Sequence, residues 1–432
     1  MKLHNKIMLG LGLGAVAGVS ANQLAADAAW LNWVNTNVAN PVGQVFLRML
    51  LMVVVPLVFA SLTLGVAGLG DIRRIGKVGA KTLGYFALST TISAVIGLLL
   101  VNLLNPGRGL DPAIQQQLFE TYKGQAEGLS SGAAVGFGIN TFVNVVPRNP
   151  VQAAANMDML AIIFVSVMFG AALTLLPGEK TKPFLGVLEG LNEIVIKIIG
   201  FAMRLAPYGV FGLIFFTTSR FGWEILRSLG MYVFVVLLGL TIHAVFGVSA
   251  LVRIFGGMNP LTYYKKIRNS IVTAFSTSSS SATLPTNLAV AEQELGISPT
   301  IAGFVLPIGS TMCMNGTALY EGVTVLFLAQ VFGVDLSLGT QMIVVVLSVI
   351  TAIGAAGVPG GSLPLIMLVL ATVGVPPEGI AIILGVDRIL DMARTTVNVA
   401  GDMSACVYVA RAEGGWRPEM AEKAGGAPAV AP

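Results

Sequence analysis

The chain of 432 residues is 55% hydrophobic and 11% charged, with a formal net charge of +4 and a mean hydropathy of +0.83. Soluble domains carry about 25% charged residues, so the polar side chains needed to furnish a water-facing surface are missing. A β-barrel is excluded because the apolar runs do not alternate with period two. Nucleic acid is excluded as a partner because the basic residues form only short loop clusters.

In chain order, apolar runs long enough to cross a lipid bilayer predict spans near 5–26, 42–69, 76–105, 157–177, 187–217 and 224–256. Basic clusters lie at Lys2 and Lys6, in DIRRIGKVGAK (71–81), in GEKTK (178–182) and in YYKKIR (263–268). Taken as cytoplasmic, they thread the spans in and out of a plasma (inner) membrane with both termini inside. The first span is read as retained, not as a leader cleaved at Ala26-Asp27-Ala28. A polar insert, 107–156, falls outside. Gly68-Leu69-Gly70-Asp71 spells the G-x-G-D string of intramembrane aspartyl proteases, but it abuts the basic loop and has no Tyr-Asp partner, so Asp71 reads as a solvated helix end. Cys313 and Cys406 make no disulfide framework and read as inert buried thiols.

After residue 258 the pattern changes. AFSTSSSSATLP (274–285) sets Ser276 to Ser281 as an unbroken Ser/Thr run, and AIGAAGVPGGSLP (352–364) crowds glycine and proline together. Neither can cross lipid as an unbroken helix without orphaning backbone groups; both suit the tip of a re-entrant hairpin. Leu284-Pro285 and Leu363-Pro364 end these segments, and thirty residues beyond each proline come Asn315 and Arg394, in apolar surroundings. Hairpin then helix, repeated and entered from opposite sides, is an inverted repeat, the best sequence pointer to a transport site near the midplane.

The last apolar segment carries Asp387, Arg388, Asp391, Arg394 and Asp402. At about 100° per residue, Asp387, Asp391, Arg394, Asn398 and Asp402 share one narrow helical stripe. Each charge costs about 2.5–3.5 kcal/mol in a bilayer centre, so the stripe must face protein, water or ligand.

TSSSSATLP (277–285), MNGTALYEGV (314–323), GVPGGSLP (357–364) and DRILDMARTTVNVAGD (387–402), with a weaker match at 145–164, resemble the glutamate transporter family, the dicarboxylate/amino acid:cation symporters. The resemblance runs to about residue 412. It implies an all-α polytopic membrane protein of eight transmembrane helices plus two re-entrant helical hairpins, assembled as a homotrimer. Residues 1–70 and 107–220 would be scaffold, 71–106 and 221–412 the moving transport part, and 413–432 a disordered cytoplasmic tail.

Carried onto this chain, the resemblance assigns Arg394 to the substrate's side-chain carboxylate, beside Thr317, and Asp391 to its α-ammonium. Asn398 and Thr395 would hold the α-carboxylate, with backbone N–H groups of Ser279, Ser280 and Ser281. Val358, Pro359, Gly360, Gly361 and Ser362 would form an outer lid. Asp402, Asn398 and Gly309 resemble one sodium site, and Thr311 with Ala352, Ile353 and Ala355 another. A third site departs from the pattern: the usual Asn-Met-Asp-Gly is Cys313-Met314-Asn315-Gly316, which leaves Ser89 and Thr90 without a counter-charge for a cation. Glu321 stands where proton-coupled members carry glutamate, and burying a carboxyl favours its protonated form. Where many relatives place a second arginine, Ser279 and Met392 stand.

The expected function is symport of L-glutamate and L-aspartate with H⁺, or with Na⁺ in part or whole; the ion is co-transported and no cofactor is needed. A C4-dicarboxylate carrier on the same fold is the alternative, disfavoured because succinate has no cation for Asp391. A passive channel is a further rival, and without a G-x-x-x-x-G-K-[ST] loop an ATP-driven pump is not expected.

Overall fold

The computed structural model describes residues 3–25, 28–67, 72–126, 146–155, 159–353, 357 and 361–416. Among them the regular structure is helical, apart from one isolated bridge between Ile297 and Trp416. Asn5–Ala25, Val78–Leu104, Gly178–Gly256 and Pro299–Val331 are each long and apolar enough to cross a membrane. Val55–Ala67, Phe164–Leu175 and Leu338–Ala352 are apolar but shorter.

The first helices are α1 (Leu3–Ala25), α2 (Ala29–Val34), α3 (Asn40–Leu51) and α4 (Val54–Ala67). Next come α5 (Ile72–Leu104), α6 (Pro112–Ala126), α7 (Pro150–Ala155), α8 (Met159–Leu175) and α9 (Gly178–Ile242). Gly10, Gly14 and Gly18 recur every fourth residue and so share one face of α1. A Cβ on any of them would run into the α9 backbone at Pro207, Phe211 or Phe215, so the stripe is a small-residue seam that lets two helices approach closely.

The spans expected at 187–217 and 224–256 form one helical run broken at a single residue. Gly222 has φ 67° and ψ −151° inside α9, a conformation open to glycine. Asn22 Nδ2 donates to the Ser219 carbonyl beside the break at 2.9 Å. Beyond α9 the chain continues helically, partly as π turns, to Gly256.

The second half comprises α10 (Pro260–Lys266), α11 (Arg268–Thr277), α12 (Ser280–Gln293), α13 (Pro299–Met312) and α14 (Asn315–Val331). It ends with α15 (Leu338–Ile353), α16 (Leu363–Thr372), a 3₁₀ turn Pro377–Ile382 and α17 (Leu384–Ala412). The Ser/Thr run supplies a tip of only two residues between α11 and α12. Ser278 is left-handed at φ 50°, and Ser279 caps α12 by accepting from the Ala282 N–H at 3.1 Å. The apolar helix that carries Asn315 starts at that residue, after a break from α13. Cys313 and Met314 are non-helical, at φ −96°, ψ 75° and φ −105°, ψ 54°.

Two segments outside the long helices are anchored to the second half. The start of the polar insert docks on the end of α14: Gln115 Nε2 donates to the Gln330 carbonyl at 3.1 Å and the Gly107 N–H to Gln330 Oε1 at 2.9 Å. The segment after α17, expected to be disordered from Glu413, is held as far as Trp416. Gly414, at φ 69°, turns the chain back. The Ser298 N–H then donates to the Gly415 carbonyl, and Trp416 Nε1 to the Leu295 carbonyl, both at 2.9 Å.

Candidate functional site

The charged stripe lies on α17, with Asp387, Asp391, Arg394, Asn398 and Asp402 all buried. At 1.5 Å per residue it extends about 22 Å along the axis from Asp387 to Asp402, too far for one pocket. The structure divides it into a small polar cavity and a separate carboxylate.

Arg394 and Asp391 anchor the cavity. Nε and Nη2 of Arg394 donate to Asp391 Oδ1 at 3.0 and 2.8 Å, and Nη1 donates to Ser362 Oγ. The guanidinium carbon sits 4.7 Å from the Tyr320 ring centroid, a stacking geometry suited to its planar cation. Tyr320 in turn donates to Asp387 Oδ1 at 2.8 Å. Asp387 therefore steadies the residue beneath the guanidinium and does not line the cavity.

Ser278, Ser280, Met314, Thr317 and Gly357 complete the lining, with Ser362, Asp391, Arg394, Thr395 and Asn398. The tip between α11 and α12 meets Gly357 over it. The Gly357 carbonyl accepts from Ser279 Oγ at 2.6 Å and from the Ser281 N–H at 3.3 Å. A Cβ at Gly357 would sit 2.7 Å from the Ser310 carbonyl oxygen, so glycine is required for this approach. Of Ser279, Ser280 and Ser281, only Ser280 lines the cavity; Ser279 and Ser281 are bonded to Gly357. Gly361 is buried beside Ser362. Val358, Pro359, Gly360 and Ala355 lie outside the described residues.

Asn398 explains how the break before α14 is tolerated. Its Oδ1 accepts from the Gly316 N–H at 2.7 Å and the Thr317 N–H at 3.3 Å, capping α14 from a neighbouring helix. Its Nδ2 donates to Thr317 Oγ1 at 3.1 Å and approaches Met314 Sδ at 3.2 Å. Most of this amide is thus committed to structure; its most weakly held proton is the one aimed at the Met314 sulfur, a poor acceptor that a ligand oxygen can replace.

The expected cation ligands separate into three places. Asp402 is fully buried, and neither carboxylate oxygen has a hydrogen-bond partner among the described residues. Gly309 lies against it: a Cβ there would be 2.9 Å from Asp402 Oδ1. Thr311 is half-buried with its hydroxyl donating to Ile308 of its own helix, while Ala352 and Ile353 end α15. Asn315 belongs to a closed neutral knot. Its Nδ2 donates to Ser89 Oγ at 2.9 Å, and its Oδ1 accepts from Thr90 Oγ1 at 3.0 Å and from the Cys313 thiol at 3.5 Å. The amide that replaces a carboxylate has every polar atom matched.

Glu321 is fully buried on α14, and its Oε2 meets Thr351 Oγ1 of α15 at 2.6 Å. Its described partner is a hydroxyl, not a cation. Tyr320, Thr351 and Met314 had no role in the sequence reading. Tyr320 carried a legible signal, since it follows Thr317 by three residues and shares its helical face; Thr351 carried none.

A cavity holding a paired cation and anion, enclosed by broken helices in an apolar helical protein, is the architecture of a membrane carrier. Comparison with known proteins agrees: residues 3–412 match the Sodium:dicarboxylate symporter family. The chain is 37% identical over 422 residues to the Proton/sodium-glutamate symport protein of Bacillus subtilis (strain 168), covering 97% of this chain and 95% of that protein. It is 36% identical over 383 residues to the Proton/glutamate-aspartate symporter of Escherichia coli (strain K12), covering 88% and 87%. It is also 34% identical over 375 residues to a C4-dicarboxylate transport protein of Bacillus subtilis (strain 168), covering 86% and 87%. The chain belongs to the Sodium:dicarboxylate symporter family of secondary transporters.

Proposed function

We propose that this protein is a symporter of acidic amino acids, L-glutamate and L-aspartate, driven by a cation gradient in which H⁺ is the principal ion. The observation that carries the reading is the Arg394–Asp391 pair at 2.8 Å in a cavity beneath the contact of Ser279 and Ser281 with Gly357. A zwitterion with a second carboxylate answers both charges: its side-chain carboxylate takes the planar guanidinium and its ammonium takes Asp391. Thr395, Asn398 Nδ2 and the N-terminus of α12 at Ser280 receive the α-carboxylate, where helix N–H groups favour an anion. Val358, Pro359, Gly360, Gly361 and Ser362 act as the lid. A C4-dicarboxylate would leave Asp391 facing a second anion, so that substrate is the lesser reading despite the relatives that carry it.

Glu321 carries the proton. Asp402 with Gly309 and Asn398 is the candidate sodium site, and Thr311 with Ala352, Ile353 and Ala355 a second, weaker one. The neutral knot of Asn315, Ser89 and Thr90 argues against a cation there, because it supplies no counter-charge and Asn315 Oδ1 already accepts from Thr90 and Cys313. The fold proposed is eight spans and two re-entrant hairpins in an inner membrane, both termini cytoplasmic, assembled as a homotrimer. Spans 3, 6, 7 and 8 with the hairpins slide as an elevator against spans 1, 2, 4 and 5. No bond is made or broken in the substrate.

Purified protein in liposomes tests this directly. Labelled glutamate and aspartate should accumulate under an inward proton gradient, and excess aspartate should compete. Succinate uptake indifferent to excess aspartate would transfer the assignment to dicarboxylates, and currents without accumulation would make the protein a channel.

A further inference from the structure

Thr351, in the last turn of α15, has its hydroxyl oxygen 2.6 Å from Glu321 Oε2 and 2.7 Å from the Leu347 carbonyl oxygen. A threonine hydroxyl has one proton to donate. If Glu321 were a carboxylate, both neighbours would be acceptors and only one could be served. Both short contacts are hydrogen bonds when Glu321 itself carries a proton on Oε2: its O–H donates to Thr351 Oγ1, and Thr351 donates onward to Leu347.

The surroundings reinforce this assignment. Glu321 Oε1 has no hydrogen-bond partner among the described residues, and an ionised carboxyl with one shared donor is costly in a dry interior. Of the elements packed against α14, α17 contributes Arg394, Asp391 and Asp387. Arg394 and Asp391 pair with each other, and Asp387 is bonded by Tyr320. Span α9 contributes Tyr232, whose hydroxyl meets Thr324 at 2.7 Å. The wall of α5 bonded to Asn315 presents the hydroxyls of Ser89, Thr90 and Ser93. Neither α15 nor α16 has an ionisable side chain. On the α15 side Glu321 therefore meets only hydroxyl chemistry. One turn before Thr351, the buried Ser348 hydroxyl also has no partner among the described residues.

We infer that Thr351 and Glu321 together form the proton site, the proton being held in a relay from Glu321 through Thr351 to the Leu347 carbonyl that joins α14 to α15. The inference rests on the proton carriage by Glu321 proposed above. Thr351 is a positioning residue, since it acts on the substrate only through Glu321. When the proton leaves, Thr351 must abandon one acceptor, so proton occupancy is registered at the contact between the two helices.

The test compares Thr351→Val, Thr351→Ser and Glu321→Gln in liposomes, measuring glutamate exchange at equal pH and net uptake under an inward proton gradient. In Thr351→Val the ratio of net uptake to exchange should fall about tenfold, and the pH profile of net uptake should move by about one unit. Thr351→Ser should restore both. A wild-type ratio and profile in Thr351→Val, with net uptake lost in Glu321→Gln, overturns the relay and leaves Glu321 as carrier. Equal loss of exchange and net uptake in Thr351→Val, not restored by serine, also overturns it. Net uptake surviving in Glu321→Gln overturns the carrier and the relay together.

Discussion

Arg394 directs two nitrogens to a single oxygen of Asp391, three residues earlier on the same helix, at 3.0 and 2.8 Å. The i, i+3 spacing makes this pair a local product of α17, while the third nitrogen faces Ser362, the residue before α16. Asp391 Oδ2 lies 3.6 Å from Arg388, so the carboxylate stands between two cations. In the proposed cycle a substrate parts Arg394 from Asp391 and gives each a new counter-charge. The local pair thereby becomes a reading device for a molecule with both charges.

Removing Arg394 takes from the buried Asp391 its shortest charged contact, at 2.8 Å, and leaves the longer ones to Arg388 and Thr395. Truncating one partner of a buried, hydrogen-bonded charge pair with a ligand costs about 2–5 kcal/mol of binding, a loss of at least about 30-fold in affinity for acidic substrates. Arg394→Ala should therefore abolish glutamate and aspartate uptake into liposomes. Unchanged glutamate uptake would refute the role given to the guanidinium.

The Asn315 knot makes a prediction of opposite sign, a requirement gained. Asn315→Asp puts a carboxylate among Ser89, Thr90 and the Cys313 thiol, where two hydroxyls and no described cation surround it. Without compensation a buried charge costs several kcal/mol. Uptake by this variant should fall in sodium-free buffer and recover with added sodium. Equal uptake with and without sodium would show that the cage cannot take up the ion.

For Glu321 the prediction concerns coupling and its pH dependence. Protonation of the native carboxyl is what links uptake to the proton gradient, whereas Glu321→Gln mimics the protonated form at every pH. Net uptake driven by a pH gradient should disappear relative to exchange, and the remaining exchange should lose its dependence on pH. A wild-type pH profile for exchange in the variant would contradict this.

Packing at Gly316 offers a check on the geometry that is independent of transport chemistry. A Cβ there would overlap the Arg394 backbone, with the Cα at 2.9 Å, and backbone cannot yield as a side chain does. Overpacking of this kind costs about 1–3 kcal/mol. Gly316→Ala should lower the thermal midpoint in detergent and weaken substrate binding. An unshifted midpoint would mean that α14 and α17 are farther apart than described.

The amino-acid sequence alone determined the membrane class, the positions of the two breaks, and the stripe of Asp387, Asp391, Arg394, Asn398 and Asp402. These follow from local physics: apolar length, backbone groups that lipid cannot satisfy, and the 3.6-residue period that fixes which side chains share a face. The sequence also carried the Gly10, Gly14 and Gly18 stripe, though its partner on α9 was not legible. Tertiary structure decided what each polar group faces. It joined Gly357 to Ser279 and Ser281, capped α14 with Asn398, enclosed Asn315 among Ser89, Thr90 and Cys313, and set Thr351 against Glu321. Each of these contacts joins residues between 30 and about 230 positions apart, apart from that of Cys313 with Asn315. No periodicity records such pairings, because they arise only when helices distant in the chain pack side by side.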